Sequence, residues 1–148
     1  MAFDKDRYLP LASFRHAMRR FLAASETISR NAGVTQQQYQ AMLAIGAWPT
    51  GAMSVKDLAD ELLLTHHAAV QLVDRLAKAG LAQRAPSTVD RRSVELSLTE
   101  SGAVLLDQLA NLHLAEMLRR EPALSASLRR LRKLRSANDP DGSPPGDA

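Results

Sequence analysis

Apolar residues recur along the first part of the chain at intervals of three and four. Between residues 8 and 30 they fall at Leu11, Phe14, Met18, Phe21, Leu22 and Ile28, with Ser25 in the same stripe. That spacing predicts an amphipathic helix, with Pro10 in its first turn and Gly33 ending it. Thr35 opens a second helix, "TQQQYQAMLAIGAW", closed by Gly46 and Pro49. Ser54 caps a third, in which Val55, Leu58, Ala59 and Leu62 share one face and Asp57 sits where a capping box places its acceptor. Thr65 opens a fourth, in which Ala69, Leu72, Val73 and Leu76 are the buried stripe and Gly80 is the stop. Two short one-faced helices joined by a few residues form a helix-turn-helix.

After Gly80 the period changes from helical to alternating. "LAQR" and "SVELSLT" flank "APSTVDRR", and Val94, Leu96 and Leu98 point one way while Ser93, Glu95 and Ser97 point the other. This reads as a two-stranded hairpin. Thr99 then caps a long helix that Pro122 interrupts, and a last helix carries Leu124, Leu128, Leu131 and Leu134. The fold class is mainly α. A winged helix-turn-helix lobe with a two-stranded β wing (34–99) lies between terminal helices (8–33 and 100–135) that form a dimerisation region. Together these make one domain over 1–135, and the Pro/Gly/Asp-rich stretch 136–148 is expected to be a disordered tail.

Composition sharpens this picture in three ways. Aromatics are only 4% of the 148 residues, so the core is built from Leu, Ala, Val and Met, as helix-on-helix packing prefers. Cysteine is absent, which removes disulfides, thiolate zinc sites and thiol redox switching. No run approaches the roughly 20 apolar residues of a membrane span, and the N-terminus lacks a secretory core, so the expected compartment is the cytoplasm. The net charge is +3, but the tail holds three of the acids, leaving 19 basic against 13 acidic residues and +6 on the body. A basic body suits a polyanionic partner.

Candidate chemistry lies on the fourth helix and the hairpin. Opposite the buried stripe stand His67, Gln71, Arg75 and Lys78, with His66 and the small Ala68 near the helix start. Such a face fits the major groove of DNA, where side chains of the first turns read base edges and Gln can pair with adenine. Thr65 and Ser54 leave first-turn N–H groups for phosphates. A solvated face would also accommodate these residues, with Asp74 and Lys78 forming an i, i+4 pair. The hairpin tip tips the balance, because Arg side chains enter narrow minor grooves and Asp90 there can hold a guanidinium.

In this order, "LADELLLTHHAAVQLVDRLAKAGLAQRAPSTVDRRSVELSLTESG" resembles the DNA-binding lobe of the MarR family of bacterial transcription regulators. The resemblance rests on "RL..AGL..R", the Asp-x-Arg wing motif and "LT..G". It implies a homodimer on double-stranded DNA with a palindromic operator. Asp90 would be the wing brace, Arg92 the minor-groove arginine and Arg91 a phosphate contact. It also implies repression relieved by a small aromatic or phenolic effector. Independently, the strongly apolar terminal helices call for a second copy.

Other readings are weaker. Adjacent His66 and His67 diverge by about 100° on a helix and make a poor metal pair. His16 and His113 are expected to pack or line an interface, and Tyr39 and Trp48 to pack in the core. Arg119, Arg120 and the basic residues 129–135 suit phosphates, a partner subunit or solvent. There is no phosphate loop, nucleophile set or cofactor motif, so an enzyme is not expected. The rival function is a winged-helix module that binds protein without an operator.

Overall fold

The computed structural model describes residues 4–49, 51–90 and 92–138. Its elements are α1 (Lys5–Asn31), α2 (Gln36–Ala47), α3 (Val55–Leu62), α4 (His66–Lys78), β1 (Ala82–Pro86), β2 (Val94–Leu98) and α5 (Glu100–Asn138). The chain divides into two compact units. One is Ser25–Leu114; the other comprises the residues up to Ala24 and those from Ala115 onward.

The Ser25–Leu114 unit is the winged helix. Its core joins Met42 of α2, Leu58 of α3, Leu72, Val73 and Leu76 of α4, Leu96 of β2 and Leu109 of α5, all nearly or wholly inaccessible. Capping boxes start α2 and α3. Thr35 Oγ1 accepts from the Gln38 amide while Gln38 Oε1 accepts from the Thr35 amide, and Ser54 and Asp57 repeat the exchange. Each box satisfies two N–H groups that a helix start otherwise leaves unpaired. The strands pair antiparallel with Ala82 opposite Leu98 and Pro86 opposite Val94. Met53 adds a bridge, its carbonyl accepting from the Leu96 amide at 2.8 Å. Leu96 is buried and Leu98 half-buried as the alternation predicts, while Val94, near the tip, is exposed.

The "LT..G" segment has a steric reason. Thr99 accepts from the Gly102 amide and so caps α5, and its hydroxyl donates to the Gly80 carbonyl at 2.6 Å. A Cβ on Gly102 would lie 1.9 Å from the Leu81 carbonyl oxygen, so no other residue fits there.

Several sequence expectations are corrected. Gly46 does not close α2; it lies inside the helix, where an added Cβ would meet the Leu106 side chain at 2.7 Å. Pro10 is not in the first turn of α1, which begins at Lys5. Pro122 does not interrupt the long helix: α5 is continuous from Glu100 to Asn138. Proline removes one backbone bond, but good helix formers flank it, and Ser125 donates to Glu121 across it. Helix therefore continues through Ser136–Asn138, within the stretch assigned to a tail. Among the described residues no helix is long and apolar enough to cross a membrane.

Candidate nucleic-acid interface

Burial of one face of α4 dictates what the other presents. Ala69, Leu72, Val73 and Leu76 are within 1% of full burial, and the helical period then turns His67, Gln71, Arg75 and Lys78 outward together. All four are exposed, as are Thr65 and His66, and Ala68 is half-buried beside them. The sequence grouped these residues, and the fold keeps them on one face.

The two helix starts differ in their chemistry. At α4, Thr65 Oγ1 accepts from the Ala68 amide, and no acidic residue lies in the first turn. At α3, the half-buried Ser54 is bound up with the Asp57 carboxylate, which already places a negative charge on that helix end. Of the two, Thr65 is the better phosphate site, because an anion at Ser54 would face Asp57.

The wing tip is fixed by a dense set of short-range bonds. Ser87 Oγ accepts from the Val89 and Asp90 amides, and the Ser87 amide donates to the Ser93 carbonyl. Asp90 Oδ1 accepts from the Arg92 amide at 3.0 Å and Oδ2 from the Ser93 hydroxyl at 3.3 Å. Asp90 thus braces the tip through the turn's own amide and hydroxyl groups, where the sequence suggested a guanidinium. Arg92 is exposed beside it. Arg91 lies outside the described residues.

Sequence reasoning missed how the wing is tied to α4. Arg84 of β1 reaches back to the helix, its guanidinium donating to Asp74 Oδ1 at 2.6 Å and to the Val70 carbonyl at 3.4 Å. Asp74 therefore pairs with Arg84, and the expected i, i+4 pair with Lys78 gives way to it. The clue in the sequence is the arginine that ends "AGL..R", whose spacing by itself names no partner. Its partner lies ten residues back and is chosen by the way β1 leaves the helix.

Elsewhere in this unit, His113 packs as expected and is buried. Its ring stacks on Tyr39 with centroids 3.9 Å apart, Nε2 lies 2.7 Å from Ser25 Oγ, and Nδ1 lies 2.7 Å from the Leu109 carbonyl. A carbonyl only accepts, so Nδ1 donates to Leu109, and Ser25 Oγ is the partner of Nε2. Burial raises the Tyr39 phenol above its ordinary value, so it stays neutral. Among the described residues no group of His, Cys, Asp or Glu is arranged to hold a metal ion.

Residues 32–93 match the MarR family model. The organic hydroperoxide resistance transcriptional regulator of Bacillus subtilis (strain 168) is 33% identical over 79 residues, 53% of this chain and 52% of that protein. The match thus spans about half the length of that curated relative. Among solved structures, AbsC, a MarR family transcriptional regulator from Streptomyces coelicolor, superposes with a TM-score of 0.75 at 20% identity, covering 90% of this chain and 92% of its own. A single-site mutant of S. aureus MepR bound to an oligodeoxyribonucleotide gives 0.64 at 20% identity, covering 93% and 100%. At these identities the structural likeness concerns the fold.

Proposed function

We propose that this chain, whose residues 32–93 match the MarR family model, is a transcriptional regulator that binds double-stranded DNA as a homodimer. One observation carries the reading: the exposed polar face of α4 stands next to a basic wing that Arg84 ties to the same helix. In this reading α4 lies in the major groove, with His66, His67 and Gln71 at base edges and Arg75 toward the backbone. Thr65 at the helix start takes a phosphate, with Ser54 as a secondary contact. Asp90 holds the wing in shape while Arg92 enters the minor groove, and Arg91 is assigned to phosphate.

The homodimer is supported by apolar side chains that a single chain leaves in water, among them Leu9, Leu11 and Leu22 of α1 and Leu112, Met117 and Leu118 of α5. Twofold pairing would set the two α4 helices about 34 Å apart on a palindromic operator. Repression relieved by a small aromatic or phenolic effector is the mode of action proposed. A thiol switch is not open to a chain without cysteine.

The test is duplex binding at about 50 and about 200 mM salt, with sedimentation on the same sample. A dimer whose affinity falls steeply with salt supports the proposal, since phosphate contacts release counterions. Binding that is indifferent to salt, or a monomer, overturns it.

A further inference from the structure

Three helices end within the Ser25–Leu114 unit by the same cap, and one of the three breaks its residue rule. After α1, the Val34 amide donates to the Ser29 carbonyl and the Gly33 amide to that of Arg30. After α4, Leu81 donates to Leu76 and Gly80 to Ala77. After α3, Leu64 donates to Ala59 at 2.9 Å and Leu63 to Asp60 at 3.4 Å. This paired closure turns the residue past the helix end into the left-handed region, where glycine is the usual occupant. Gly33 (φ 85°) and Gly80 (φ 72°) follow the rule. At either, an added Cβ would meet nothing within 4 Å, so conformation and not space selects glycine. The third cap holds Leu63 at φ 56° and ψ 42°, the only positive φ outside glycine among the described residues.

Packing does not account for the exception. Leu64, the next residue, packs against the core beside Leu58 and so makes the inward apolar contact that accompanies this cap. Leu63 itself is turned out and is 92% exposed. Its isobutyl group adds little to the fold, while its Cβ opposes the conformation the cap requires. A side chain kept in a disfavoured conformation without internal contacts points to a task outside the chain.

The position of Leu63 identifies the task. It lies two residues before Thr65, the N-cap of α4, at the helix end where Thr65, His66 and His67 are exposed. In the DNA-binding reading above, on which this inference rests, that end enters the major groove. Base edges there present hydrogen-bonding groups and one apolar group, the C5-methyl of thymine. A leucine set against phosphate would desolvate charge and return no hydrogen bond. Set against a methyl group, it removes apolar surface from water on both sides. We propose that Leu63 is a specificity-determining residue that packs on a thymine methyl in each half of the DNA site, next to the bases facing α4.

The test uses the full-length protein and the duplex it enriches from a random-sequence pool. Thymines of that duplex are replaced by deoxyuridine, one position at a time in both halves, which removes only the methyl group. At one position wild-type affinity is expected to fall about tenfold, because a dimer loses two apolar contacts, whereas Leu63→Gly changes by less than about twofold. On the thymine duplex Leu63→Gly binds about tenfold more weakly than wild type, and Leu63→Met, which keeps an apolar side chain, falls between. Glycine suits the cap, so the urea midpoint of Leu63→Gly stays level or rises while its DNA affinity falls. A residue that only shaped the turn would lose both together. Wild-type affinity in Leu63→Gly overturns the proposal, and so does a wild type indifferent to deoxyuridine at every position. Leu63→Asn, which also tolerates the left-handed region, decides the matter if the glycine variant does not fold. A pool from which nothing is enriched defeats the DNA-binding reading itself, whereas enrichment that ignores Leu63 removes this residue alone.

Discussion

If Arg84 orients the wing on α4, removing its partner should weaken operator binding even though the change makes the protein more basic. Asp74→Asn is the sharpest perturbation. The pair is 2.6 Å apart, and its side chains are 33% and 59% exposed, so solvent screens much of the attraction. Partly exposed pairs of this kind contribute about 0.2–1 kcal/mol to folding. The substitution should thus lower stability by no more than about 1 kcal/mol. A loss of similar size in wing orientation would appear as about a two- to fivefold loss of operator affinity, since about 1.4 kcal/mol corresponds to tenfold. Simple electrostatics predicts the opposite sign, because removing an anion beside a phosphate backbone raises affinity. Fluorescence anisotropy with operator and random duplexes measures both terms, and urea denaturation measures stability. A double-mutant cycle with Arg84→Ala should give a coupling of about 0.5–1 kcal/mol in both assays. Tighter operator binding by Asp74→Asn, or no coupling to Arg84, refutes the clamp.

The other expectations concern the interface and the fold. Arg92→Ala should weaken duplex binding and leave the denaturation midpoint unchanged, whereas Gln71→Ala should lower the ratio of operator to random-duplex affinity; equal losses on both duplexes would make Gln71 a backbone contact. Gly102→Ala should destabilise by about 3 kcal/mol, because the new Cβ would lie 1.9 Å from the Leu81 carbonyl oxygen. Helix propensity alone predicts a gain of about 1 kcal/mol, so a stabilised variant in a thermal melt excludes the close approach. Arg119, hydrogen-bonded to Glu116 and seconded by Arg120, holds that carboxyl below its ordinary value of 4.5 despite partial desolvation. A depressed acid stabilises the fold above its unfolded value and loses that contribution as pH falls through its folded one. The midpoint gap between wild type and E116Q should therefore narrow below pH 4.5, and a constant gap would refute the assignment.

What the sequence alone determined was local. Thr35, Ser54, Thr65 and Thr99 mark helix starts because each cap acts within three residues of itself. The face of α4 followed from its buried stripe, since a helix turns about 100° per residue whatever surrounds it. The wing was legible from alternation and its turn residues, and Asp90 braces that turn within three positions. Tertiary structure decided the rest, because distant partners are selected by how elements pack. Asp74 had a local candidate in Lys78, yet the path of β1 delivers Arg84 to it. Ser25 meets His113 across 88 residues, a pairing with no periodic signature. Gly46 and Pro122 resemble helix breakers, but each lies in a helix, where neighbouring packing and flanking residues outweigh an intrinsic cost of about 1–3 kcal/mol.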